Sequence, residues 1–357
     1  LISGRCGGVA TCGLALVVAG CLRYDGEPPE VPDPGPAPDV PVLHHAHLNS
    51  VDPDAAIDFY TRLWPSGARG EIAGHPAFLA EMALLFDRVD GPPPGAWSSR
   101  LERSDPQSAF WHIGAFVNTT GLLERLAAEG VEVLPLWTSP DDERGVVRSG
   151  LTPFAGIVTE RALADAEPAA PRDGGFSYVR GPDGALIELT GSPRTNASFS
   201  HVHLFHEQPH CAANWYVEHL GMSIPARRDP ETGDTIPVTR WEDCASSLAG
   251  EAGWPSLEHG GTLRSPNGSV RFANGTIGFY PRQCRDGRCG AGDGPLVPSA
   301  GQVLDHVGFR VGAVGPWIAR LRAQGVTILD GPYAFGDGRG VLIEGPDGLG
   351  IELVELP

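Results

Sequence analysis

Clustered basic residues are the first thing this chain lacks. Lysine and arginine number 26 against 44 aspartates and glutamates, giving a formal net charge of −18 over 357 residues. Neutralising nucleic-acid phosphate takes runs of Lys and Arg, and none is present, so nucleic acid is excluded as a partner. The apolar run in CGGVATCGLALVVAG falls short of the roughly 20 residues that a spanning helix needs. Zinc-finger spacing is absent too: Cys211, Cys244, Cys284 and Cys289 show neither CxxC pairs nor paired histidines. Glycine (48) and proline (34) are abundant, which suits many short strands joined by tight turns. A hydrophobic share of 41% with 20% charged residues describes a soluble globular chain long enough for two cores.

The first residues read as a targeting segment. Arg5, a short apolar stretch and small residues end in Val18-Ala19-Gly20-Cys21, which resembles the lipobox of bacterial lipoproteins. Residues 1–21 are therefore expected to be a lipoprotein signal peptide. Residues 22–41, acidic and proline-rich, are expected to form a stiff linker. The expected location is exported, periplasmic or membrane-anchored through a lipid on Cys21, with a cytoplasmic location as the alternative. In an oxidising compartment the remaining cysteines would pair as Cys284 with Cys289, across the CRDGRC turn, and Cys211 with Cys244.

From Val42 onward the chain repeats itself. Strand-then-helix units open at VLHHAHL (Val42), FWHIGAF (Phe110), FSHVHLF (Phe199) and LDHVGFRV (Leu304), each with a histidine at the same place in its strand. Helices are expected over Pro53 to Leu63 and near Gly121 to Glu129. Leu122, Leu126 and Ala127 form an apolar stripe, as do Trp317, Ile318 and Leu321. Units two and four close alike, in GPDGALIEL and GPDGLGIEL. Their Glu188 and Glu352 sit among apolar neighbours, where a carboxylate is costly unless paired or bound to a cation. The units match in order as a duplicated pair, so two domains are expected, residues 42–192 and 199–357. The stretch from Asp141 to Arg172 looks like an elaborated loop.

Residues two apart in a strand share a face, so His45 and His47 point one way and His44 the other. Pairing consecutive units would gather His45, His112 and Glu188 in one cup and His201, His306 and Glu352 in the other. Two imidazoles and one carboxylate with open positions suit non-haem Fe(II), with Mn(II) or Zn(II) as alternatives. His47 and His203 would line the cavity, and His206, His210 and His259 would border its entrance.

The opening histidines, the Tyr60 and Tyr216 helices and the two GPDGxxIEL endings together resemble the βαβββ modules of the vicinal oxygen chelate superfamily. That superfamily includes glyoxalase I, type I extradiol dioxygenases and bleomycin-resistance proteins. The resemblance covers nearly everything from Val42 to Glu355. It implies an α+β fold of four βαβββ modules paired into two cupped mixed-sheet domains, with the opening histidines and closing glutamates as metal ligands. Glyoxalase I takes a fourth ligand from the last strand of its odd-numbered module. The matching segments MALLFDRV and GTIGFYPR offer no convincing carboxylate, Glu81 being a distant candidate. In extradiol enzymes a tyrosine stands ten residues before the glutamate, as Tyr178 does before Glu188, which makes Tyr178 the candidate catalytic residue. The upstream histidine of those enzymes is missing, and Leu342 replaces the tyrosine in the second half. The resemblance thus implies a metal-dependent, dioxygenase-like enzyme acting on a small oxygen-chelating molecule. A non-catalytic small-molecule-binding protein and a glyoxalase-type lyase or isomerase are the alternatives.

Overall fold

The computed structural model describes residues 37–99, 103–134, 145–148, 156–159, 175–229, 231–245, 268–282 and 294–357. The expected signal peptide, the linker up to residue 36, the Cys284–Cys289 pair, His259 and most of the 141–172 loop lie outside the described residues.

Each unit forms an opening strand, a helix and further strands. The first has β1 (Val42–Ser50), α1 (Pro53–Leu63), β2 (Ala68–Ile72), β3 (His75–Leu79) and β4 (Ala83–Arg88). The second has β5 (Phe110–Asn118), α2 (Leu122–Ala128), β6 (Val133–Leu134), β7 (Gly175–Arg180) and β8 (Leu186–Ser192). In the third are β9 (Ser198–Phe205), α3 (Pro209–Leu220), β10 (Gly268–Phe272) and β11 (Gly275–Tyr280). The fourth comprises β12 (Leu304–Val311), α4 (Val314–Ala323), β13 (Ile328–Phe335), β14 (Gly338–Glu344) and β15 (Gly350–Glu355). Local chemistry sets the helix ends. Asp52 accepts a hydrogen bond from the Ala55 amide ahead of Pro53, and α3 stops at Gly221, whose φ of 65° suits a residue without a Cβ. The buried helix faces, Ile57 and Tyr60 of α1, Tyr216 of α3 and Trp317 of α4, pack into a continuous core. Tyr60 meets Trp64, Phe78, Phe86 and Phe199 there.

The α+β fold of four modules in two cupped sheets is what forms, three of them βαβββ and the third βαββ among the described residues, but the modules pair differently from the division into 42–192 and 199–357. One sheet has eight strands in the order β13-β14-β15-β12-β1-β4-β3-β2, so the first module joins the fourth. The other has seven, in the order β10-β11-β9-β5-β8-β7-β6, so the second joins the third. The seams are antiparallel pairs of opening strands, β1 with β12 and β5 with β9. The physical reason lies in the connections. Only residues 193–197 separate β8 from β9, enough to step past the single strand β5 within one sheet. Residues 89–109 and 281–303, by contrast, are long enough to cross from one sheet to the other.

The closing turns tie the sheets together. Asp183 of the first GPDG turn reaches the end of β1, accepting from Ser50 Oγ (2.5 Å) and the Val51 amide (3.2 Å). Asp347 of the second does the same at the end of β9, meeting His206 Nδ1 (2.9 Å) and the Glu207 amide (3.1 Å). Both aspartates have positive φ (54° and 56°), the left-handed turn that aims the carboxylate outward. His206 is therefore fully buried in this clamp and not at an entrance, while His210 stacks on Trp241. Cys211 and Cys244 are joined as a disulfide across 33 residues. The end of the linker is docked: Asp39 accepts from the Gly312 amide and Trp317 Nε1, both at 2.7 Å.

Candidate metal centres

The opening-strand seams place the histidines. In β1 the pairing with β12 slips between Leu43 and His45, and in β9 the pairing with β5 slips between Phe199 and His201. Such bulges re-aim side chains. They set His45 against Gly308 and His201 against Gly114, where a Cβ would run into the imidazole. Two residues further along each seam the pairs are His47 with His306 and His203 with His112. The neighbouring closing strands bring Glu352 beside Gly308 and Glu188 beside Gly114. The HxH strand of one module, the HxG strand of its partner and the partner's glutamate therefore meet in each cup.

The six ligand candidates are brought together in two groups, regrouped by the sheet pairing. Instead of His45 with His112 and Glu188, the eight-stranded sheet unites His45, His306 and Glu352. Instead of His201 with His306 and Glu352, the seven-stranded sheet unites His112, His201 and Glu188.

In the first cup His45 Nε2 lies 2.9 Å and His306 Nε2 3.9 Å from Glu352 Oε2. These three atoms are buried and have no directed hydrogen-bond partner, which is how a ligand set aimed at a common cation looks. His306 Nδ1 meets Asp305 Oδ1 at 2.7 Å, a contact that orients the ring with Nε2 toward the cup. Asp305 is itself held by Asn49 Nδ2 and the Gly301 amide. Tyr333 donates to Glu352 Oε1 at 2.5 Å.

In the second cup four side chains converge. His201 Nε2, His112 Nε2 and His203 Nδ1 lie 3.0, 3.4 and 3.5 Å from Glu188 Oε2. His203 Nδ1 is also 3.0 Å from His112 Nε2, so His203 belongs among the converging groups and does more than line the cavity. Tyr178 donates to Glu188 Oε1 at 3.3 Å.

The electrostatics favour a cation. Burial drives His45 and His203 down to about pH 3, and lowers His112 and His47 as well, so these imidazoles are neutral and free to ligate. Burial pushes the two carboxyls up, but their histidine neighbours outweigh it. Glu352 is held at about 2, and Glu188 well below the usual carboxylate range. Two buried, ionised carboxylates amid neutral imidazoles are short of positive charge. Burial first, and then the adjacent glutamate, raise both Tyr178 and Tyr333, which stay neutral donors.

Some expectations land elsewhere. Glu81 Oε2 accepts from the Phe199 amide at 3.0 Å and takes no part in either cup. By register, the fourth-ligand positions matching Glu352 and Glu188 are Leu85, opposite His47, and Gly278, opposite His203. Tyr333 was missed because it comes from a different strand than Tyr178. Tyr178 sits opposite Glu188 in the β7–β8 pair, whereas Tyr333 is opposite Gly340, which leaves room for its ring to cross Leu342's place. Asp305 and the HxH repeat were legible in DHVGF, HAHL and HVHL.

Residues 198–353 match the model of the Glyoxalase/Bleomycin resistance protein/Dioxygenase superfamily. No curated relative is detected by sequence comparison. Among solved structures, one point mutant of glyoxalase I from Zea mays is 14% identical, with 88% of this chain and 92% of that one covered and a TM-score of 0.51. A second point mutant of the same protein is 13% identical, with 89% and 94% covered and a TM-score of 0.50. A putative dioxygenase from Bacillus subtilis subsp. subtilis str. 168 is 12% identical, with 89% and 86% covered and a TM-score of 0.48. Residues 198–353 are thus similar to that superfamily's model, and the chain as a whole has a fold like that of glyoxalase I from Zea mays.

Proposed function

We propose that this chain is a metal-dependent enzyme of dioxygenase type, acting on a small molecule that chelates through two oxygens. The observation that carries the reading is the convergence, in each cup, of two opening-strand histidines on one oxygen of a buried glutamate whose other oxygen holds a tyrosine hydroxyl. His45, His306 and Glu352 would hold a cation in the first cup, and His201, His112 and Glu188 in the second, with Fe(II) favoured over Mn(II) or Zn(II). Such a metal supplies Lewis acidity toward a chelated substrate oxygen and a meeting place for O2.

The protein's own groups do the rest. Tyr178 and Tyr333 keep their protons and donate to the glutamates, fixing which carboxylate oxygen faces the histidines. Tyr178 acts in this way as a positioning residue, a narrower role than the candidate catalytic residue that the resemblance implied. Asp305 holds His306 in the ligating tautomer. Trp111, stacked on Phe205 and Tyr178, walls the second cup with apolar surface that would keep water from a bound aromatic substrate. Leu85 and Gly278, at the positions matching Glu352 and Glu188, offer no carboxylate, which weighs against a glyoxalase-type lyase or isomerase. The Cys211–Cys244 disulfide supports the exported location, in which that bond persists.

The test is anaerobic reconstitution with Fe(II) followed by elemental analysis of wild type, Glu188→Ala and Glu352→Ala. O2 uptake is then measured with a panel of catechols. Wild type should carry iron that each variant loses in part, and should consume O2 with at least one catechol. A folded wild type that takes up no divalent metal would leave the small-molecule-binding alternative standing in its place.

A further inference from the structure

The first cup holds more metal-ligating chemistry than its three-ligand centre uses. Beyond His306, toward the outer strands, lie His47 of β1, His75 of β3 and Asp87 of β4. His47 Nε2 is 3.2 Å from Asp87 Oδ2, and His75 Nδ1 is 2.8 Å from Asp87 Oδ1. One ligand atom from each of the three residues lies within 4.8 Å of the other two. Ligand atoms around a four-coordinate cation at metal–nitrogen distances near 2.0–2.1 Å stand about 3.3 Å apart, so this spacing fits one ion.

His47 supplies the independent sign of a ligand. Its side chain is only 6% exposed, and neither ring nitrogen has a directed hydrogen-bond partner, although imidazole always carries one donor and one acceptor. His75 and Asp87 are 32% and 52% exposed, so an ion can arrive from solvent. The site also adjoins the first centre. The His47 ring lies 4.5 Å from that of His306 and 4.8 Å from that of His75, centroid to centroid. The second cup provides a built-in comparison. Counting two residues on from the paired positions Leu85 and Gly278, the place of Asp87 is taken by Tyr280, whose ring lies 5.4 Å from His203. An aromatic ring cannot serve there as the carboxylate does.

We propose that the first cup is a two-cation centre, in which His47, His75 and Asp87 bind a second divalent ion beside the one on His45, His306 and Glu352. Imidazole-rich donors with one carboxylate select Zn(II), Co(II) or Fe(II) over Mg(II) or Ca(II). This second ion goes beyond the proposed dioxygenase-type activity and does not require it, because His75 and Asp87 take no part in the inner set and His47, whose ligand atom also lies within 4.8 Å of those of His45 and His306, stands between the two positions.

The test loads apoprotein with Co(II). Bound cobalt is counted by equilibrium dialysis with elemental analysis, and low-temperature EPR reports spin coupling between adjacent ions. Wild type should bind one more Co(II) per chain than Asp87→Asn and than His75→Ala, with affinity at the outer position weakened at least ten-fold in each variant. Its EPR signal should show coupling that both variants abolish. Glu352→Gln should lose the coupling yet keep the outer ion, and Glu188→Gln should leave the coupling unchanged. Circular dichroism checks that each variant is folded. If Asp87→Asn and His75→Ala, both folded, bind as much Co(II) as wild type, the proposal is overturned and the three residues are a hydrogen-bonded His-Asp-His relay. Loss of the outer ion in these variants, with stoichiometry unchanged in Glu352→Gln and Glu188→Gln, would leave a lone ion on His47, His75 and Asp87 and overturn the two-cation centre together with the three-ligand centres.

Discussion

Gly114 lies directly beneath the imidazole of His201, so close that a methyl group on its Cα would collide with Nε2, and Gly308 stands in the same relation to His45. Two HxG strands thus hold open the space into which the histidines of two HxH strands lean. The ligand geometry therefore depends on residues that carry no chemistry of their own.

Gly114→Ala should displace His201, and Gly308→Ala should displace His45. Forcing a side chain into so full a space costs about 1–3 kcal/mol. Each variant is expected to lose metal from its own cup, at least ten-fold in affinity, while the other cup keeps its metal. Metal titration with thermal unfolding of both variants checks this, and equal loss in both cups would contradict it.

Asp305→Ala should weaken metal binding in the first cup by about 10–100-fold, the usual effect of removing a carboxylate that orients a histidine ligand. His306 Nδ1 would lose its partner and the ring its fixed tautomer. The second cup has Trp111 at the corresponding position before His112 and should be unaffected. Site-resolved stoichiometry in this variant on a Glu188→Gln background isolates the effect.

Metal-free protein should lose stability as pH falls from about 6.5 toward 3. The folded pKa of His45 and of His203, about 3, lies below the unfolded value near 6.5. Between those values the unfolded chain binds more protons, so stability rises with pH through this window and is lost on acidification. For fully buried His45 alone the loss is about 2 kcal/mol by pH 5. Glu352, held at about 2, adds a second loss below the ordinary carboxylate range. Urea midpoints measured at pH 7, 6 and 5 should fall steadily. His45→Gln should flatten the slope, and an unchanged slope would show that His45 is not neutral in the fold.

Asp347→Ala should destabilise the chain by about 1–3 kcal/mol, because it leaves His206, fully buried, without its carboxylate partner. Asp183→Ala, whose partners are Ser50 and an exposed amide, should cost less. Denaturant unfolding of the two variants separates these costs. The reverse ranking would mean that the clamp at β9 is not what holds the sheets together.

Much of the architecture was legible in the residues. The helix over Pro53 to Leu63 follows from Asp52, Pro53 and the spacing of Ile57 and Tyr60. The repeat of a histidine in four opening strands and of GPDGxxIEL in two closing strands specifies four modules, and a glutamate among leucines and isoleucines marks itself as paired or ligating. Alternation along HAHL and HVHL put His45 with His47 and His201 with His203.

The module, the residue types of the candidate centres and the α+β class follow from the chain alone, because these rest on periodicity and on the cost of burying charge, both of which act locally. Which modules share a sheet was settled by tertiary packing. All four opening strands present equivalent edges, so pairing turns on connection length, and residues 193–197 are the one link too short to leave its sheet. That choice unites His45 with Glu352 and His201 with Glu188, brings Tyr333 onto Glu352 from a strand with no matching tyrosine motif, and places His75 and Asp87 beside His47. Contacts between residues up to 307 positions apart, as His45 and Glu352 are, leave no mark on local patterning, since their energies exist only once the sheets have closed.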